Sequence, residues 1–158
     1  MTRKAHLDWE TRSEIDLKAS GMFRYAEDPS TSPLVVAFSL GKDRPIGIDL
    51  SNYEKDWDLI IRLMSPLFDH IDRGGVVAAH NAQFERVIWE KTEFGKRLPI
   101  RPKPHQWNCT AARARLLALP GSLNGAAEAL GVPLRKDPRG EALIKLFCKP
   151  QIKRSKGV

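Results

Sequence analysis

A mixed α/β domain is the fold class this chain predicts, and three observations predict it. Apolar residues alternate at period two in RPIGIDLS (44–51). They recur at helical spacing from Asp56 to Ile71, and the apolar run VVAA (76–79), bounded by glycines and by His80-Asn81, leads into a second helical pattern. The order is three strands, helix, strand, helix and further helices. With 158 residues, 42% of them apolar and four of them Trp, the chain has the material for one folded domain with a proper core.

The elements are expected as follows. Residues 5–10 form a short strand, and PLVVAFSLG (33–41), a richer apolar run, forms the second. Between them GMFRYAEDPSTSP carries the turn chemistry Asp-Pro-Ser-Thr-Ser-Pro and reads as a loop or irregular extension. Ile46, Ile48 and Leu50 alternate after a Gly-Lys-Asp turn, which makes 33–51 a hairpin candidate. Trp57, Ile60, Ile61, Met64, Leu67, Phe68 and Ile71 lie on one helix, with Pro66 a point of kinking or division and Gly74-Gly75 its end. VVAA is a buried strand, and a second helix runs from about Ala82 to Phe94 with Phe84, Val87, Ile88 and Lys91 along one side. KRLPIRPKPHQW (96–107), with three prolines and five basic residues, reads as a loop. Helices follow at about 110–119 and 122–130, the latter opened by Ser122 and closed by Gly131, and a last one from Gly140 to Cys148. The domain thus spans 1–148, and 149–158 is a tail with four positive charges.

Lys and Arg number 26 against 19 Asp and Glu, a net charge of +7 that favours a polyanionic partner such as nucleic acid; the same balance occurs in basic domains that bind none. Cys109 and Cys148 form no CxxC pair and have no His at zinc-site spacing, so both are expected reduced and structural. The N-terminus lacks the apolar core of a signal peptide, and no window approaches the roughly 18–20 apolar residues of a membrane span, so a cytosolic protein is expected.

In HLDWETRS, Asp8 and Glu10 lie two residues apart, so in a strand both point to one face, roughly 6–7 Å from each other at about 3.3 Å per residue. Two readings follow. Either both face water on an edge strand, or they ligate hard divalent cations whose charge cancels their repulsion, the arrangement that two-metal phosphoryl chemistry requires. VVAAHNAQFER then places Asn81, Phe84 and Glu85 where a buried strand passes into a helix, with Glu85 on the first turn near the carboxyl end of that strand. Asn81 is expected to cap the helix while its amide reaches a neighbour or a nucleotide. An acid in a first helical turn is also favourable with no function attached. Phe84 either stacks on a terminal base or joins the core, and Trp9 should face the core side of its strand. Arg12, the loop from Lys96 to Lys103 and the tail are candidate phosphate contacts, each equally readable as ordinary solvated charge.

LDWETRS followed by HNAQFE resembles the first and second motifs of the proofreading 3′–5′ exonuclease superfamily. The stretches ETRSEIDLKASGMFRYAEDPST, WNCTAARARLLALPGSLNGAAEALGV and KDPRGEALIKLFCKP resemble the exonuclease portion of phage-type, family A-like DNA polymerases, over about Leu7 to Pro150. The resemblance implies a ribonuclease H-like fold and a two-metal site for Mg²⁺ or Mn²⁺. Asp8, Glu10 and Glu85 would be its catalytic, metal-binding acids, Glu85 standing where the superfamily usually has Asp. The resemblance further implies Thr11, Asn81 and Phe84 as substrate contacts, single-stranded DNA 3′ ends as substrate, a polymerase partner, and the cytoplasm of a bacterial or phage-infected cell. The family's fourth acid lies in a Tyr-x-x-x-Asp motif on a late helix, whereas here no Tyr follows Tyr53 and the chain stops at Val158. The expectation is therefore a C-terminally shortened domain with weak nuclease activity and a truncated face open to self-association. Asp137 in LRKDPRG reads either as a substitute fourth ligand or as a helix-entry acid. His80 and His105 suit a hard cation poorly, and His80 is expected to pack or hydrogen-bond beside Asn81. The alternative to an enzyme is a nuclease-dead module that binds nucleic acid or a partner protein.

Overall fold

The computed structural model describes residues 3–133, 137 and 139–148. The tail expected at 149–158 lies outside the described residues. Strand β1 (Lys4–Arg12) buries Ala5, Leu7, Trp9 and Thr11 and exposes His6, Asp8, Glu10 and Arg12, the alternation of a strand with one covered face. Two short helices follow, α1 (Leu17–Ser20), whose first amides are accepted by Asp16 Oδ1, and α2 (Met22–Glu27). Helix α2 corrects the loop expected over that stretch. Six residues do not sustain a helix alone, and this one is held by burying Tyr25 and Ala26 against a later helix.

Strands β2 (Ser32–Leu40) and β3 (Ile46–Asp49) form the expected antiparallel hairpin. Helix α3 (Trp57–Asp72) passes Pro66 undivided. Pro66 lacks the N–H that Arg62's carbonyl would accept, but the Ser65 hydroxyl donates to that oxygen at 2.9 Å and the ring lies on the exposed side. Gly74, at φ 78, turns the chain into β4 (Val76–Ala79).

The single helix expected over 82–94 is two, α4 (Ala82–Lys91) and α5 (Glu93–Arg97). Thr92 divides them. Its extended backbone ends α4, its hydroxyl donates to the Ile88 carbonyl at 2.7 Å, and the same oxygen accepts the Gly95 amide at 3.1 Å to cap α5. The loop expected at 96–107 also needs correction, because it contains the end of α5, a 3₁₀ turn at Pro104–Gln106 and the start of β5 (Trp107–Cys109). Buried Gln106 secures it: its Nε2 donates to the Ile71 and Gly75 carbonyls at 2.8 and 2.9 Å, and its Oε1 accepts the Lys103 amide at 2.8 Å. Helices α6 (Thr110–Leu116), α7 (Leu123–Ala129) and α8 (Gly140–Leu143) are the last among the described residues, α8 widening into a turn over Ile144–Cys148.

The sheet has the order β3-β2-β1-β4-β5, with β1, β2 and β3 antiparallel neighbours and β1, β4 and β5 parallel ones. This mixed α/β architecture is the class expected and is compatible with a ribonuclease H-like fold. Its core joins Trp9 to Trp89 and Phe94 edge-on, at 5.6 and 5.9 Å between ring centroids, and Phe94 in turn meets Tyr53 and Trp57. Both cysteines are free. Among the described residues no helix is long and apolar enough to cross a membrane.

Candidate functional site

The sheet places the candidate acids. Strand β1 pairs with β4 only from Lys4 to His6, because β4 ends at Ala79 and the chain turns away into α4. Asp8 and Glu10 therefore lie beyond the carboxyl end of β4, beside the corner from which α4 departs, the crevice where parallel strands present ligand-binding groups. The exposed positions of both acids agree with either reading of the pair made from the sequence.

Glu85 is different. It sits on the first turn of α4 at 3% exposure, and its Oε2 has no hydrogen-bond partner among the described residues. Burial pushes its pKa up to about 8; its own backbone amide opposes the rise, and the charge of Asp8 adds to it. Asp8 and Glu85, 77 positions apart in sequence, are thus brought within electrostatic reach of each other. A buried carboxylate with an orphaned oxygen and a second carboxylate nearby is a donor arrangement that a cation would satisfy. Among the described residues, no group of three His, Cys, Asp or Glu side chains converges to hold an ion. The donor chemistry suits Mg²⁺ or Mn²⁺ in an open site, since Mg²⁺ is commonly held by one or two carboxylates with waters and phosphate oxygens completing its shell.

Glu10 faces a second neighbourhood. The register of β1 with β2 shifts between Glu10 and Thr11, an irregularity that re-aims side chains, and both residues border a cavity of about 270 Å³. Tyr25, Phe84, Ile144 and Cys148 line the same cavity. Burial raises the pKa of both Tyr25 and Cys148, and the charge of Glu10 adds to each rise. Thr11 does not point freely to solvent: it is buried, its hydroxyl 2.9 Å from that of Tyr25. Phe84 combines the two roles weighed for it, since it packs on the core and also faces the cavity, its ring 6.3 Å from that of Tyr25.

Asn81 requires a correction. It stands at the helix start with φ 74 and ψ 46, and its side chain makes no capping bond. A capping side chain reaches the first amides from an extended backbone, and the left-handed conformation here turns the exposed amide elsewhere; Asn is among the few residues that tolerate it. Asp137 serves its own turn at the entry to α8, accepting the Arg139 amide at 2.9 Å and that residue's guanidinium at 2.8 Å. Two cavity residues differ from expectation: Tyr25 carries no motif in the sequence, and Cys148, expected to be structural, lines the cavity. The spacing of Met22, Tyr25 and Ala26 is a helical signal that could have found the first, whereas nothing local marks the second.

No protein-family model matches the chain. Its sequence is 35% identical over 148 residues to a DNA polymerase of Bacillus phage SP02, a match that takes in 91% of this chain and 21% of that polymerase. The chain spans about a fifth of the length of this relative, and the likeness supports a polymerase-related domain.

Proposed function

We propose that this domain is a divalent-cation-dependent 3′–5′ exonuclease that trims single-stranded DNA 3′ ends in a polymerase system. The observation that carries the reading is the buried Glu85 carboxylate, its Oε2 unpartnered and its protonation influenced by Asp8. Asp8 and Glu85 would hold Mg²⁺ or Mn²⁺ together. Held there, such a cation would supply a lowered pKa for bound water and charge neutralisation at the scissile phosphate. Glu10, on the wall of the adjoining cavity, accepts a hydrogen bond from the terminal 3′-hydroxyl. Phe84 and Tyr25 offer aromatic surface to the terminal base, and the cavity's 270 Å³ suits a single base better than a pair. Asn81 presents its exposed amide at the mouth of the corner. The products would be a 5′-mononucleotide and a strand shortened by one residue. The likeness to a phage DNA polymerase and the net charge of +7 support DNA as the substrate.

The second reading, a module that binds nucleic acid without cutting it, is favoured by the lack of a three-acid cluster among the described residues. One experiment separates the two. A 3′-labelled single strand incubated with the protein and Mn²⁺ is expected to release labelled mononucleotide, and Asp8→Ala is expected to bring release to background. No release at enzyme excess, with salt-sensitive binding retained, establishes the binding module instead.

A further inference from the structure

We propose that His80 is a positioning residue: its imidazole ties the corner between β4 and α4, which carries Asn81, Phe84 and Glu85, to the start of α6 and to the segment that joins α6 to α7. The importance of that corner rests on the function proposed above, but the tie itself does not. His80 follows directly on β4 and is half-buried. Its Nε2 lies 2.9 Å from the Gly121 carbonyl oxygen, and because a carbonyl only accepts, Nε2 carries the hydrogen. Its Nδ1 lies 3.1 Å from the Thr110 hydroxyl, which is itself 3.3 Å from the Ala79 carbonyl.

Thr110 opens α6 and Gly121 lies between α6 and α7, so one ring bonds to both ends of the segment that contains α6. The next residue along the chain, Asn81, holds the left-handed conformation that swings the backbone into α4. Its own side chain makes no capping bond, and its carbonyl accepts the Phe84 amide at 2.8 Å. The corner is therefore anchored to Thr110 and Gly121 by the side chain that precedes it. Glu85 follows four residues after Asn81, and a rotation at the corner moves it away from Asp8.

Amide hydrogen exchange at Phe84 reads the corner in the whole chain without substrate or metal. His80→Ala is expected to speed that exchange on the order of tenfold, the factor that corresponds to one net hydrogen bond. Amides of the β1–β2 pairing, such as Ala37 opposite Asp8, should keep their wild-type rates. His80→Gln restores most of the protection, because its Nε2 places a donor at the reach of the imidazole Nε2. Thr110→Val reproduces the local loss and Thr110→Ser does not, a pair that decides the matter if His80→Ala fails to fold. Unchanged Phe84 exchange in His80→Ala and Thr110→Val, or an equal rise throughout β1 and β2, overturns the proposal. A wild-type chain that cuts no DNA overturns the nuclease reading alone, since exchange is read without catalysis.

Discussion

The Glu85 carboxylate combines deep burial, an unpartnered oxygen and a charged neighbour, and each has a measurable consequence. With its pKa raised from 4.5 to about 8, the group holds a proton more tightly in the folded chain than in the unfolded one. Its contribution to stability is then complete below pH 4.5 and is lost as pH rises through about 8. Without divalent cations, the protein should lose on the order of a few kcal/mol across that window. Glu85→Gln keeps the shape and removes the charge, so it should flatten the pH dependence and melt above wild type at pH 8. Parallel melting curves for the two proteins in chelator would refute this. Mn²⁺ should raise the melting temperature of wild type at pH 8 and leave that of Glu85→Gln nearly unchanged. A second residue-scale prediction concerns the hydroxyl pair of Thr11 and Tyr25, buried at 6% and 4% exposure. Tyr25→Phe strands the Thr11 hydroxyl and should cost about 1–3 kcal/mol, which thermal melting resolves easily; a change below about 0.5 kcal/mol would mean the hydroxyl finds another partner.

Elements were legible where their periodicity was long or their boundaries chemically marked, and obscured where tertiary contacts decide. Helix α3 and strand β4 follow directly from apolar spacing, and the end of α3 is set by Gly74. Helix α2 was hidden because its six residues run into Asp-Pro-Ser-Thr-Ser-Pro, and only burial of Tyr25 and Ala26 makes it helical. Strand β5 was hidden because three residues after a proline-rich run carry no period, and the glutamine that docks it acts through carbonyls 31 and 35 positions away. The break at Thr92 leaves no mark in the apolar spacing, because only the extended backbone at that one residue separates α4 from α5. That break brings α5 back against its predecessor so closely that a Cβ at Gly95 would stand 2.2 Å from the Trp89 carbonyl oxygen and 2.7 Å from that of Ile88. Gly95→Ala should therefore destabilise by about 1–3 kcal/mol through forced backbone displacement, lowering the urea midpoint. Gly47→Ala, with nothing within 4 Å of the added methyl, is the matched control and should stay within about 0.5 kcal/mol of wild type.

At the scale of the molecule, the sequence could name Asp8, Glu10 and Glu85 but could not show that Asp8 reaches Glu85 while Glu10 borders a separate cavity; that division depends on the short β1–β4 pairing and the register shift in β1. Net charge divides in a similar way. Lys91 pairs with Glu27, Lys96 with Glu93 and Arg86 with Glu90, while Arg97 stacks 4.1 Å above the Trp57 ring. These three exposed ion pairs add little stability, and because each cancels within the net charge, the surplus of +7 resides on other cations. Lys96 and Arg97, within the loop first considered for phosphate contact, are thereby partly committed to the fold. Lys149, Lys153, Arg154 and Lys156 have no counter-charge near them in sequence, since no acid follows Glu141. If these four supply phosphate contacts, replacing all of them with Gln should reduce the slope of log affinity against log salt for single-stranded DNA by as much as about 3, at roughly 0.7 per contact. Lys96→Gln with Arg97→Gln should change that slope by less than about 1. Fluorescence anisotropy of a labelled oligonucleotide from about 50 to 200 mM salt measures both slopes, and an unaltered slope in the fourfold variant would place the DNA path away from these four cations, on the surface around Asp8 and Glu85.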